Sequence, residues 1–90
     1  MKKFIVERKL PGAGNMTPEE LKSLSKTSVD IIADFGKPYS WIQSFITEDK
    51  IYCIHVAETE DDIREHSKIG NFPVNIIEEI KAIIDPGTAD

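Results

Sequence analysis

The feature that most restricts this chain is a pair of well-punctuated helical segments with an aromatic, β-branched stretch between them. The first opens at Thr17-Pro18-Glu19-Glu20. Thr17 can cap, Pro18 suits the first helical position, and Glu20 completes a capping box. Leu21, Leu24, Ser28, Ile31 and Phe35 then share one stripe at helical spacing, with Lys22, Lys26, Asp30 and Asp34 off it. Gly36 offers a left-handed stop and Pro38 prevents continuation. The second helix opens at Thr59-Glu60-Asp61-Asp62, with acids where the helix dipole favours them. It is expected to run to Ile69, with Lys68 in its last turn and Gly70 beyond.

Strands fill the spaces around these helices. Residues 3–10 are short, apolar and partly β-branched, and a Pro11-to-Asn15 loop ends them. Residues Tyr39–Thr47 and Ile51–Ala57 flank the polar Glu48-Asp49-Lys50, which predicts a hairpin. The last apolar segment is ambiguous. Ile76, Ile77, Ile80, Ile83 and Ile84 match helical spacing, yet five isoleucines favour strand. Topology decides: after βαββα, a strand over 77–84 completes a four-stranded antiparallel sheet. The expectation is an α+β, ferredoxin-like βαββαβ sandwich with both helices on one face, forming a single domain over residues 1–90.

A chain of 90 residues buries only about 60–65% of the surface that it exposes when unfolded. Cys53 is the only cysteine, so no intrachain disulfide helps, which fits a reducing compartment. Strands two and three do not alternate cleanly, so both faces of the sheet should be covered. A second copy is the economical cover, giving a homodimer with an α/β-barrel-like assembly. Phe4-Ile5-Val6 is cut short by Glu7-Arg8, which is not a targeting segment, and no run approaches the roughly 20 apolar residues of a membrane span. A soluble cytoplasmic protein is expected. The net charge of −5 disfavours nucleic acid as a partner.

No catalytic motif is present, and Gly12 and Gly14 precede a helix that opens with acids, not a phosphate loop. Cys53 and His55 are two apart on a strand and share a face, a start for a soft metal site or simply a buried thiol beside a polar neighbour. His66 follows Ile63 by three residues, near the buried edge of its helix, with Arg64 and Glu65 beside it. Glu7 interrupts an apolar strand. Pointing inward it needs a cation, either a metal or Arg64. Trp41, Phe45 and Tyr52 suit a core or an interface. In a regular strand Trp41, Gln43, Phe45 and Thr47 share one face, a possible pocket with a polar floor.

These residues together resemble a family of small bacterial ferredoxin-like proteins described after a nickel-responsive, nickel-binding member. The pieces are Phe4-Ile5-Val6-Glu7-Arg8, Trp41-Ile42, Ser44 through Cys53, Ile63-Arg64-Glu65-His66, Gly70 with Phe72-Pro73, and Ile84-Asp85-Pro86-Gly87-Thr88. The resemblance implies a βαββαβ fold, a dimer and nickel binding, and supports the strand over 77–84. Position 43, often His in that pattern, is Gln43 here, and position 55, often Tyr, is His55.

The first functional expectation is therefore a small protein binding nickel or another divalent ion through His66, Glu7, Cys53 and His55. The second is a dimeric αβ-barrel protein resembling small monooxygenases and isomerases, with Trp41, Gln43, Tyr52 and Arg64 around a small-molecule ligand. The third is an interaction module without chemistry.

Overall fold

Alternation along the first strand sets the orientation of the whole sheet. In the computed structural model, which describes residues 1–90, strand β1 (Lys2–Lys9) buries Phe4, Val6 and Arg8 on one face. Ile5 and Glu7 take the other, as the two-residue period of a strand requires. Helix α1 (Pro18–Ala33) follows, then β2 (Tyr39–Ile46), β3 (Lys50–Ala57), helix α2 (Glu60–Gly70) and β4 (Ile76–Glu79). The strands form one antiparallel sheet in the order β2-β3-β1-β4. Both helices cover the face that carries Phe4 and Val6, which is the ferredoxin-like arrangement. No helix is long and apolar enough to cross a membrane.

The helix starts are built as their residues dictate. Thr17 Oγ1 accepts from the Glu20 N–H at 3.2 Å, and Glu20 Oε1 accepts from the Thr17 N–H at 3.1 Å. Thr59 Oγ1 accepts from the Asp62 N–H at 3.2 Å. The second helix runs one residue past the expected end. Asn71, not Gly70, takes the left-handed position, at φ 56°. Gly70 is small for another reason: a Cβ there would collide with the Phe72 ring, which folds back beside the helix.

Two expectations fail in detail. The last strand covers 76–79 instead of 77–84. Phe4 pairs with Glu79, so β1 has almost run out at that point. Only the bond from the Ile80 N–H to the Lys3 carbonyl continues the ladder, at 2.7 Å. Ile83 and Ile84 are left exposed.

The second departure lies in β2. Trp41 pairs with His55, yet Gln43 pairs with Ile54, so Ile42 is an extra residue in a β-bulge. The bulge reverses the alternation. Tyr39, Trp41, Ser44 and Ile46 share the helix-covered side with their β3 partners, and Gln43 and Phe45 go to the opposite side. Trp41, Gln43 and Phe45 therefore do not share a face.

The core comprises Phe4, Val6, Ala13, Tyr39, Ile51, Cys53, Ala57, Ile63 and Ile77. Leu24 and Ile32 of α1, and Phe35 just beyond its end, reach it only as partly buried neighbours.

Candidate functional site

Beneath α1 the sheet is not filled. A cavity of about 180 Å³ lies there, roofed by Leu21, Leu24, Ser25 and Ser28 of α1. Its floor is Ile51, Cys53 and His55 of β3, with Arg8 of β1 at one end and Trp41, Ser44 and Ile46 along β2. His66 of α2 and the Phe72-Pro73 turn close the far wall. Leu21, Trp41 and Ile46 are partly exposed, so the cavity opens between α1 and the edge strand β2.

The polar groups around it are buried and ordered. Three rings form a cluster: Tyr39 stacks on His66 with centroids 4.9 Å apart, and His55 meets both edgewise, each at 5.3 Å. The Tyr39 hydroxyl lies 2.7 Å from His55 Nδ1 and has no other partner in the protein. Burial pushes the phenol pKa up, so the hydroxyl stays neutral.

His66 Nε2 lies 3.0 Å from Ser28 Oγ, the one tie between the two helices made by buried side chains. His66 Nδ1 is buried without a hydrogen-bond partner. Burial and the nearby Arg8 charge lower the pKa of His55 to about 3 and that of His66 to about 4. Both imidazoles are therefore neutral at pH 7.

Arg8 is 4% exposed. Its Nη1 donates to Ser67 Oγ at 3.0 Å and to the Pro73 carbonyl at 2.9 Å, and its guanidinium lies over the Phe72 ring. The Trp41 indole N–H donates to Ser44 Oγ, which in turn donates to Cys53 Sγ at 3.1 Å.

The structure thus brings His66, His55, Cys53 and Trp41 to one cavity. It separates the other predicted site residues from them. Glu7 is on the opposite face of the sheet, with Oε1 3.7 Å from Lys50 Nζ, because it is out of phase with Phe4 and Val6. Tyr52 and Gln43 share that opposite face, the latter because of the bulge. Arg64 is exposed and pairs with Glu60 one turn earlier, at 3.1 Å. Arg8, Ser28 and Phe72 are in the site although no motif in the sequence marks them. For Arg8 the signal was present, since it has the same strand parity as Phe4 and Val6.

A nickel centre within one chain does not fit these residues. Nowhere do three His, Cys, Asp or Glu side chains converge. His55 Nδ1 and His66 Nε2 are already engaged.

The family model described as nickel responsive protein SCO4226-like matches residues 4–80. The chain belongs to the SCO4226-like family. Among solved structures, it is similar to that described as the crystal structure analysis of SCO4226 from Streptomyces coelicolor A3(2). The TM-score is 0.77 at 13% identity, over 91% of this chain and 99% of that one. At that identity the likeness establishes the shared fold. No curated protein matches the chain.

Proposed function

We propose that this protein binds a small molecule in the cavity under α1. One observation carries the reading: an open cavity, largely apolar, is edged by buried polar side chains held in fixed orientations. That combination is the usual form of a small-ligand site. Trp41 lines the cavity and is the only tryptophan, so its emission reports on occupancy. Titration with benzyl alcohol, a neutral probe, should change that emission saturably and raise the thermal midpoint. Ser25→Phe, which fills the cavity from α1, should abolish both effects. A wild-type protein that responds to neither this alcohol nor its carboxylate counterpart removes the reading.

A second reading is binding of nickel or another divalent ion, with His66 as one donor. Its support is the family description and the unpartnered Nδ1 of His66. The further donors would have to come from a second copy or from rearrangement. Calorimetric titration of nickel into wild type and His66→Ala tests it. Micromolar binding that is lost in the variant supports the reading, and equal affinity removes His66 from the site.

We propose also that a second copy covers the outer face of the sheet. Ile5, Ile54 and Val56 lie half-buried there, with Phe45 and Ile76 exposed beside them. An apolar strip of this kind is costly in water. Sedimentation showing only monomer at micromolar concentration would exclude the dimer.

A further inference from the structure

We propose that the ligand of this cavity is a small organic anion, a carboxylate on an apolar body of about ten non-hydrogen atoms, seated with its charge on Arg8. The proposal rests on the cavity being a binding site and adds the chemistry of what fills it.

The argument begins with an unbalanced charge. Arg8 is nearly fully buried and joins no ion pair. The six pairs in the chain use Lys26, Lys37, Lys50, Lys81 and Arg64. The chain carries sixteen acids, yet no Asp or Glu lines the cavity. A buried cation without a counter-ion is expensive, and in most proteins a carboxylate is supplied beside it. Here the protein supplies neutral acceptors only, Ser67 Oγ and the Pro73 carbonyl, and both fall to Nη1.

The remaining donors point to the place where the missing anion would sit. Arg8 Nε and Nη2 bond to nothing in the protein. Unlike His66 Nδ1 they are not sealed off, and Arg8 is one of the residues that line the cavity. His55 Nε2 is likewise without a protein partner and not sealed off, with the Tyr39 hydroxyl on Nδ1 at the far side of the ring. The Nε/Nη2 edge of a guanidinium is a fork that matches the two oxygens of a carboxylate. Ser67, Pro73 and the Phe72 ring hold that fork in place, and Gly70 gives Phe72 the room to do so. The site is therefore organised before any ligand arrives.

The rest of the cavity sets the body of the ligand. Leu21, Leu24, Trp41, Ile46 and Ile51 present hydrocarbon and an indole face. A space of about 180 Å³ accepts a ring of benzene size and a short substituent, and little more.

Benzoate and benzyl alcohol, titrated at pH 7 against Trp41 emission, test the assignment. Benzoate should bind wild type at least about tenfold more tightly than the alcohol, the effect of a charge-assisted hydrogen bond. In Arg8→Met, which keeps the length and apolar stem, that preference should vanish or invert. The wild-type ratio decides even if the variant fails to fold. Alcohol bound as tightly as benzoate overturns the anion and leaves the cavity reading standing. Binding of neither overturns both. A preference for benzoate that persists in Arg8→Met overturns the role of Arg8.

Discussion

The two helices lie on the same sheet face and do different work. Helix α2 has eleven residues and buries Asp62, Ile63, His66 and Ser67. Helix α1 has sixteen and buries only Ser28. Ile63 is fully enclosed, whereas Leu24 and Ile32 of α1 reach the core without being enclosed by it. The difference is one of load. Helix α2 is a packing element that fixes the fold. Helix α1 stands off the sheet as a roof, and the space that it leaves is the cavity. An amphipathic stripe alone does not distinguish the two, since both helices have one.

The contrast is easiest to break through the packing side chains. Ile63→Ala should cost about 2–5 kcal/mol in urea unfolding, because a buried branched side chain leaves a cavity behind. Leu24→Ala should cost less than half as much. Equal losses would mean that α1 bears as much of the fold as α2.

Acid is the next lever, through the histidines that sit between the helices and the sheet. Their folded pKa values, about 4 for His66 and about 3 for His55, lie below the unfolded value. Between about pH 6.5 and these values the unfolded chain takes up protons that the folded chain refuses. Their contribution to stability is thus level above about pH 6.5 and falls as the pH drops, by a few kcal/mol for the pair. The fall ends once both are protonated in the folded state as well. Urea midpoints at pH 7, 5 and 4 should show the decline, and His55→Phe should flatten part of it. A variant with the wild-type slope would clear His55 of the effect.

Smaller still is the cap that starts the roof. Thr17→Ala removes one side of the capping box and should cost about 1 kcal/mol by denaturant titration. The smallest effect belongs to Arg64. Its pair with Glu60 is exposed, so Arg64→Ala should change stability by less than about 0.5 kcal/mol and leave benzoate affinity unchanged. A marked loss of benzoate binding there would move the anion site away from Arg8.

Much of the architecture is legible in the residues because it rests on local signals. Thr17-Pro18-Glu19-Glu20 and Thr59-Glu60 announce helices by chemistry that acts within one turn. The polar Glu48-Asp49-Lys50 separates two β-rich runs. The length of β4 is not legible, since it depends on where a distant strand begins: past Ile80, Ile83 and Ile84 have suitable side chains and no strand to pair with.

The site was legible in part. His66, His55 and Cys53 were selected from residue type and spacing, and they do meet at one cavity. Glu7 stands out as a carboxylate in an apolar strand, but parity sends it outward and brings Arg8 in. Gln43 shares a face with Trp41 only in an unbroken strand. The bulge at Ile42 leaves no residue signature here, neither Gly nor Pro, and only pairing with β3 reveals it.

That bulge has a consequence for how the protein can change over time. In a regular strand Trp41 and Phe45, four residues apart, would project from the same side, and any drift in one would press on the other. With one residue inserted, a single eight-residue strand serves two independent surfaces, the cavity wall and the outer face. Selection on what the cavity accepts can then act on Trp41, Ser44 and Ile46 without disturbing whatever meets Gln43 and Phe45. Deleting Ile42 would not merely shorten the strand. It would remove the bulge and yet leave Trp41, Ser44 and Ile46 on the cavity side and Gln43 and Phe45 on the outer side, each opposite its present β3 partner, so the descendants of such a deletion would inherit both surfaces intact on a straighter strand.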